Sequence, residues 1–299
     1  MERRGRISVV VLSYNRAQRL AQTLESLFTL PERPPVCVVD NGSQDGSVEL
    51  VRRRFPCAEL IALTHNIGAG ARNIGVDLMT TPFVAFADDD TVWMPGSLWR
   101  ACDLFDAWPR VAVLGARILV GSQAHEDPIC RLMRESPLPS THLPGPALIG
   151  FLAGACAFRR SAYLEVGGYE PRFMIGGEEE LIALDLLTLG WAIVYAPELV
   201  VHHYPFSERD QALRRAHMRR NELWAAWLRR PLGVALRRTA ALMVDAAGDP
   251  ACGRALAESV RGLPWALRRR RVVPGQVEAL CRLAERENGG VRSLHGTAD

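Results

Sequence analysis

Three consecutive carboxylates, Asp88, Asp89 and Asp90, interrupt the run "FVAFADDDTVW" at 83–93. Like charges this close repel one another and raise the pKa of at least one member unless a cation sits among them. Hard divalent cations take carboxylate oxygens, and magnesium is commonly held by one or two carboxylates together with substrate phosphates. The triplet equally suits a solvated turn in which Asp90 or Thr91 caps a following helix. A second acidic run, "GGEEEL" at 176–181, sets Glu178, Glu179 and Glu180 at a helix start, where the dipole favours acids. Successive helical residues point about 100° apart, so at most one or two of them can face a common cleft. An ionised carboxylate there could take a proton from a hydroxyl. His202 and His203 end the apolar run "VVHHYP". Strand neighbours face opposite sides, so one histidine is expected toward a cleft and the other packed. Beside three aspartates, the first kind is a candidate metal ligand.

The segment "GAGARNIG" at 68–75 partly mimics a dinucleotide fingerprint, with an acid at a strand end downstream. The third glycine fails, because position 73 is Asn, and the first strand–helix turn, "SYNRA", has no glycine. A nicotinamide-dependent oxidoreductase is therefore the weaker reading. The segment instead suits glycines packed on a ligand with Asn66, Arg72 and Asn73 as polar contacts, or a glycine-eased helix start.

These residues need a frame that gathers them. "ISVVVLS", "PVCVVD", "AELIAL" and "PFVAFA" are short apolar runs separated by helical spacings, followed by a helix near 95–107 and a strand at 110–120. Strands alternating with helices predict an α/β fold whose mainly parallel sheet carries helices on both faces. Ligands of such sheets bind outside the carboxyl ends of the strands, which places Asn15, Asp40, Asn66 and Asp88–Asp90 on one rim. Residues 121–146, rich in Pro, Ser and His, are expected as a mobile loop over that rim. Beyond 207 the chain turns helical and rich in arginine.

Composition excludes several classes. The 299 residues are 48% hydrophobic and 23% charged, as in a soluble globular protein. A net charge of +3 gives no basis for nucleic-acid binding, and all 36 basic residues are Arg. Seven scattered cysteines without a C-x-x-C pair argue for reduced thiols in the cytoplasm. The longest later apolar run, 147–158, falls short of the roughly 20 residues that span a bilayer. Arginine pairs with Trp224 and Trp227 could form a peripheral membrane contact, at the inner face, or an anionic-acceptor face. A solvated helical cap or an oligomer contact fits the same pattern.

In order, "VVVLSYNR", "VVDNGSQDGS", "HNIGAGARNIGV", "FVAFADDDT", "GGYEPRFMIGGEEEL" and "VVHH" resemble a family 2 glycosyltransferase of the GT-A fold over about 6–206. The resemblance implies a catalytic domain at 1–206 and a helical C-terminal extension at 207–299. It implies a nucleotide-diphosphate sugar donor, a hydroxyl acceptor and a divalent cation (magnesium or manganese). Enzymes of this kind, hexosyl- or deoxyhexosyltransferases, serve cell-wall or polysaccharide biosynthesis. Ser13, Tyr14, Asn15, Arg16 and Asp40 then match positions that hold the base and ribose, and Asn66, Gly68, Arg72 and Asn73 line the same pocket. Asp88 falls near the ribose and, with Asp90, on the metal; Asp89, though within the donor motif, is expected to point elsewhere. Glu178 and Glu179 match an acidic pair whose second member is the base. His203, slightly before His202, matches a later metal ligand. Two departures stand out. The second acid is Glu rather than Asp, and Leu181 replaces a further acid. The resemblance also admits a protein that binds a nucleotide sugar without turning it over.

Overall fold

The computed structural model describes residues 5–205 and 211–287. Four parallel strands form the first half of the sheet: β1 (Ile7–Ser13), β2 (Val36–Asp40), β3 (Glu59–Ala62) and β4 (Phe83–Asp88), in the order β3-β2-β1-β4. Their register brings Ser13 level with Asp40, and Leu12 level with Asp88. The strand ends therefore form one rim, as expected for an α/β sheet. Helices α1 (Ala17–Thr29), α2 (Ser47–Arg54), α3 (Ala71–Leu78) and α4 (Ser97–Ala107) alternate with these strands. Leu20, Leu24 and Leu27 recur at helical spacing and bury the inner stripe of α1. Gly75 lets α3 close on the sheet, since a Cβ there would stand 2.6 Å from a Val10 methyl.

Past β4 the sheet turns mixed. After Asp88 the chain turns through Asp89 and Asp90 into β5 (Thr91–Trp93), so Thr91 begins a strand and caps no helix. Strand β6 (Val111–Val120) is present as expected, yet it does not lie beside β4. A short strand, β8 (Cys156–Arg159), stands between them and is antiparallel to both. Strand β9 (Ala192–His203) pairs parallel with β6 and antiparallel with β5, setting His203 opposite Thr91. Residues 121–146 are not the featureless loop that their composition suggests. They hold β7 (His125–Glu126), which pairs with β6, and α5 (Pro128–Arg134). Asp127 caps α5 by accepting from the Ile129 amide, and Pro128 supplies the fixed φ of a first helical residue. Helices α6 (Arg160–Glu165) and α7 (Glu179–Thr188) complete this half. All seven cysteines are free, six of them buried.

Four helices follow: α8 (Gln211–Arg229), α9 (Leu232–Asp245), α10 (Pro250–Arg268) and α11 (Gly275–Glu287). The start of the C-terminal extension expected at 207 lies outside the described residues. No described helix is long and apolar enough to cross a membrane. Trp224 is not available to a membrane face, and Trp227 is half-buried. Trp224 is buried against Phe173 and Trp265, and Trp227 donates its indole N–H to Thr239. Many of the arginines are likewise spent inside the molecule. Arg229 pairs with Asp185, Arg238 with Glu180 and Glu285, and fully buried Arg230 with Glu278 and Glu285. The solvated-cap reading is nearer, but the cap is bound to α7 by charge and by the Phe173–Leu181–Trp224–Leu228 cluster.

Gly262 is the point of closest approach, since a Cβ there would lie 2.4 Å from the Trp224 ring. Gly262→Val is expected to lower unfolding stability by about 1–3 kcal/mol in urea. Gly233→Ala, on an open part of α9, should be neutral or slightly stabilising. Equal stabilities for the two variants would show that the cap does not rest on Trp224.

Candidate active site

The rim of the sheet opens into a cavity of about 600 Å³, within the range of small-molecule sites. At one end Asp89 faces Ser13 and the 14–16 turn. It accepts from the Ser13 hydroxyl at 3.1 Å, from the Tyr14 amide at 3.4 Å and from Arg16 at 3.2 Å. The expectation that Asp89 points elsewhere is thus corrected: it lines the cavity, whereas Asp90 lies behind it and is 2% exposed. The Arg16 guanidinium also reaches Asp90 at 3.1 Å, so one cation spans two of the three aspartates. The third, Asp88, pairs with Arg72.

Of the two histidines, His203 lines the cavity, with Nε2 3.7 Å from Asp90 Oδ1. His202 is turned away: Nε2 meets the Gly121 carbonyl at 2.5 Å, and the ring stacks on Tyr204. His202 is therefore withdrawn as a metal ligand. Among the described residues, no three His, Cys, Asp or Glu side chains converge as a ready cation site. Asp90 and His203 are the pair that remains together. The carboxylate suits magnesium or manganese, with substrate phosphates filling the rest of the shell, and the imidazole favours manganese, the less hard of the two.

Other expected contacts divide between ligand and scaffold. Tyr14, Asn66, Gly68 and Arg72 line the cavity. Asn15 does not: at φ 53° it ties two turns together, donating its amide to Ser43 Oγ and accepting from Gln44 N, both at 2.8 Å. Asp40 is buried and spends one oxygen on the Gly42 and Ser43 amides. Asn73 holds the backbone of Tyr169 through both ends of its amide. None of the three lines the cavity, and their hydrogen bonds support the turns around it, while Asp40 Oδ2 is left without a hydrogen-bond partner among the described residues. Gly68 has φ +65°, and a Cβ there would lie 1.9 Å from the Met174 carbonyl, so only glycine fits. Gly154 similarly clears room for Asp88, whose Oδ2 would stand 2.7 Å from an added Cβ.

Across the cavity, Glu178 occupies the N-cap position of α7 and Glu179 its first turn. Both line the cavity, and Glu179 accepts from the Ala153 amide at 3.4 Å. Glu180 points the other way, to Arg238. One helical turn thus sorts three acids into two for the site and one for the cap. The remaining wall was not foreseen from sequence. Leu213, Arg214, His217 and Met218 present one face of α8 to the cavity. Their spacing was a usable signal, but the surrounding arginines made the segment read as a solvated face. Asn41, which donates to the Gly68 carbonyl and accepts from the Ile67 amide, was likewise overlooked beside Asp40.

The charges are mutually dependent. Burial works against the Arg72 charge, but Asp88, Tyr169, Glu178 and Glu179 outweigh it and raise its pKa. Burial lifts Asp89 to about 6; Arg16 opposes that rise, while Asp90 and Asp88 add to it. A carboxyl whose folded pKa exceeds its unfolded one stabilises the fold below the unfolded value, and that contribution is lost as pH rises through the folded pKa. Metal-free protein is therefore expected to lose stability between about pH 4 and pH 7 through Asp89. Thermal melts of the wild type and Asp89→Asn check this. An unchanged pH slope in the variant would assign the effect elsewhere.

Comparisons with known proteins agree with this geometry. The family model "Glycosyl transferase family 2" matches residues 8–167. The chain is 29% identical over 282 residues to N-acetylglucosaminyl-diphospho-decaprenol L-rhamnosyltransferase of Mycobacterium tuberculosis (strain ATCC 25618 / H37Rv), covering 79% of this chain and 91% of that protein. It is 32% identical over 225 residues to the succinoglycan biosynthesis protein ExoM of Rhizobium meliloti (strain 1021), covering 69% of each. In fold it is similar to the mannosyltransferase PcManGT from Pyrobaculum calidifontis, solved with GDP-Man and Mn2+, at a TM-score of 0.58 and 20% identity over 97% of this chain and 88% of that one. The mixed, mostly parallel sheet, its acid-lined rim and these matches together place the chain in glycosyl transferase family 2, with the GT-A fold.

Proposed function

We propose that the protein transfers a sugar from a nucleotide-diphosphate sugar to a hydroxyl of a glycan or lipid-linked acceptor, with inversion at the anomeric carbon. One observation carries the reading: Asp88 and Asp89 line the same cavity as Glu179, which reaches it from the first turn of α7. Strand-end acids beside a cluster of backbone turns suit a nucleotide diphosphate carried with a divalent cation, and a separate carboxylate suits a base. The names of the relatives support a deoxyhexose or hexose donor and an acceptor carried on a lipid diphosphate.

In this reading Tyr14, Asn66 and Arg72 bind the nucleotide, and Gly68 lets the chain pass close beside it. Asp90 and His203 are the residues that would hold magnesium or manganese. When bound, the cation offsets charge on the departing diphosphate. Arg16 holds the aspartate cluster together and adds positive charge at the same end. Glu179 takes the proton of the acceptor hydroxyl. The oxygen attacks the anomeric carbon from the face opposite the diphosphate, whose bond to that carbon breaks as the new one forms. Water is kept from competing by the apolar wall of Leu152, Ile175 and Met218.

Nucleotide release from a panel of UDP-, GDP- and dTDP-sugars, with magnesium or manganese and with or without acceptor, tests the proposal. Acceptor-dependent release is the expected outcome; binding without turnover on any donor would leave a nucleotide-sugar-binding protein instead. Asp90→Ala and Glu179→Gln should each lower kcat by at least about 100-fold with the fold retained. Full activity in either would remove that residue from its role.

A further inference from the structure

Segment 173–177 joins the two halves of the cavity. On one side the Met174 carbonyl accepts from the Ala69 amide at 2.6 Å and packs on Gly68, the donor-side turn. On the other, Gly176 and Gly177 lead directly into Glu178 and Glu179. Met174, Ile175, Gly176 and Gly177 themselves line the cavity. Its backbone is not of a kind that holds its own shape: Met174, Gly176 and Gly177 have φ of 64°, 89° and 78°. A non-glycine residue in that region is strained and persists only where its surroundings impose it.

The imposing element is α8. The Asn221 side chain, wholly buried, donates from Nδ2 to the Phe173 carbonyl at 2.8 Å and the Gly176 carbonyl at 2.7 Å, with the Ile175 carbonyl at 3.4 Å. Arg220 donates from Nε to Asn221 Oδ1 at 3.0 Å, which fixes the amide so that its N–H groups face the segment. The same guanidinium reaches the Phe173 carbonyl at 2.8 Å and is anchored by Glu258 on α10 at 2.7 Å. An apolar side chain could fill this volume, but it would make none of these bonds, whereas the carboxamide accepts from Arg220 at Oδ1 while both Nδ2 hydrogens are given to backbone carbonyls.

We propose that Asn221 is a positioning residue of the transfer reaction: through segment 173–177 it sets Glu179 and the Gly68–Ala69 turn against each other across the cavity. The inference rests on Glu179 acting as the base. It makes the helices after the sheet a working part of the active site, with Arg220 and Glu258 orienting the amide.

Asn221→Asp keeps the side-chain size and removes the donors. The variant is expected to bind one nucleoside diphosphate per chain by calorimetry, while kcat per occupied site falls about 10- to 100-fold. Full binding stoichiometry separates this loss from a smaller folded fraction. Amide hydrogen exchange over 174–179 should quicken in the same variant. A kcat within about twofold of wild type at full occupancy would overturn the proposal. Should Asn221→Asp not bind nucleotide, Arg220→Lys, which loses the planar fork but keeps the charge, is measured in the same way and decided by the same limit. A wild-type protein that transfers from no donor would fault the proposed function alone. The exchange comparison then decides on Asn221, and unchanged protection over 174–179 would overturn its role.

Discussion

Carboxylates crowd one end of this molecule, and their mutual repulsion is the constraint that the rest of the structure answers. Asp88, Asp89, Glu178 and Glu179 line one cavity, and Asp90 lies directly behind it. Buried acids are costly unless paired. Two guanidiniums make the arrangement tolerable: Arg16 between Asp89 and Asp90, and Arg72 on Asp88. Arg72 in turn lies over the rings of Phe86 and Tyr169, so its position depends on the aromatic core beneath it. A family 2 glycosyltransferase that gathers so much negative charge can accept a doubly charged donor only where positive charge is supplied as well.

The second constraint comes from the side of the cavity that carries Glu178 and Glu179. Helix α7 is apolar around most of its girth, burying Leu181, Ile182, Leu184 and Leu186. It therefore has to be covered on several faces at once. The sheet covers one and the C-terminal helices another, through Leu181 with Trp224 and Leu184 with Val277 and Cys281. The acids at its start inherit their orientation from that enclosure. This is why arginines that look like a surface stripe in the sequence are turned inward against Asp185, Glu180, Glu258 and Glu278.

Much of the first half of the sheet was legible in the sequence, for a physical reason. Strands β1, β2 and β4 are buried on both faces, so they are written as unbroken apolar runs, and each ends on the residue that marks the rim. Glu178 and Glu179 were recognisable because acids favour a helix start. Strand β8 was not, because four residues of "CAFR" carry too little pattern to reveal an antiparallel insertion. The roles of Asn15, Asp40 and Asn73 were hidden for another reason. Each is polar and close to the ligand-binding rim, and only the hydrogen bonds show that its side chain is taken up by neighbouring backbone or turns. The inward face of α8 was masked by composition, since arginine reads as solvent-facing until its partners are known.

The placement of β9 also governs when the site can exist. Asp90 belongs to the turn after β4, but His203 is the last residue of the last described strand, and among the described strands β5 pairs with β9 alone. A growing chain can therefore assemble β1 to β4, with their aspartates, well before the partner histidine has been made. Until β9 arrives, Asp90 lacks His203 beside it and β5 lacks the strand that it pairs with. Chain order thus separates the rim from its completion: Asp90 and His203 meet only when β9 joins the sheet.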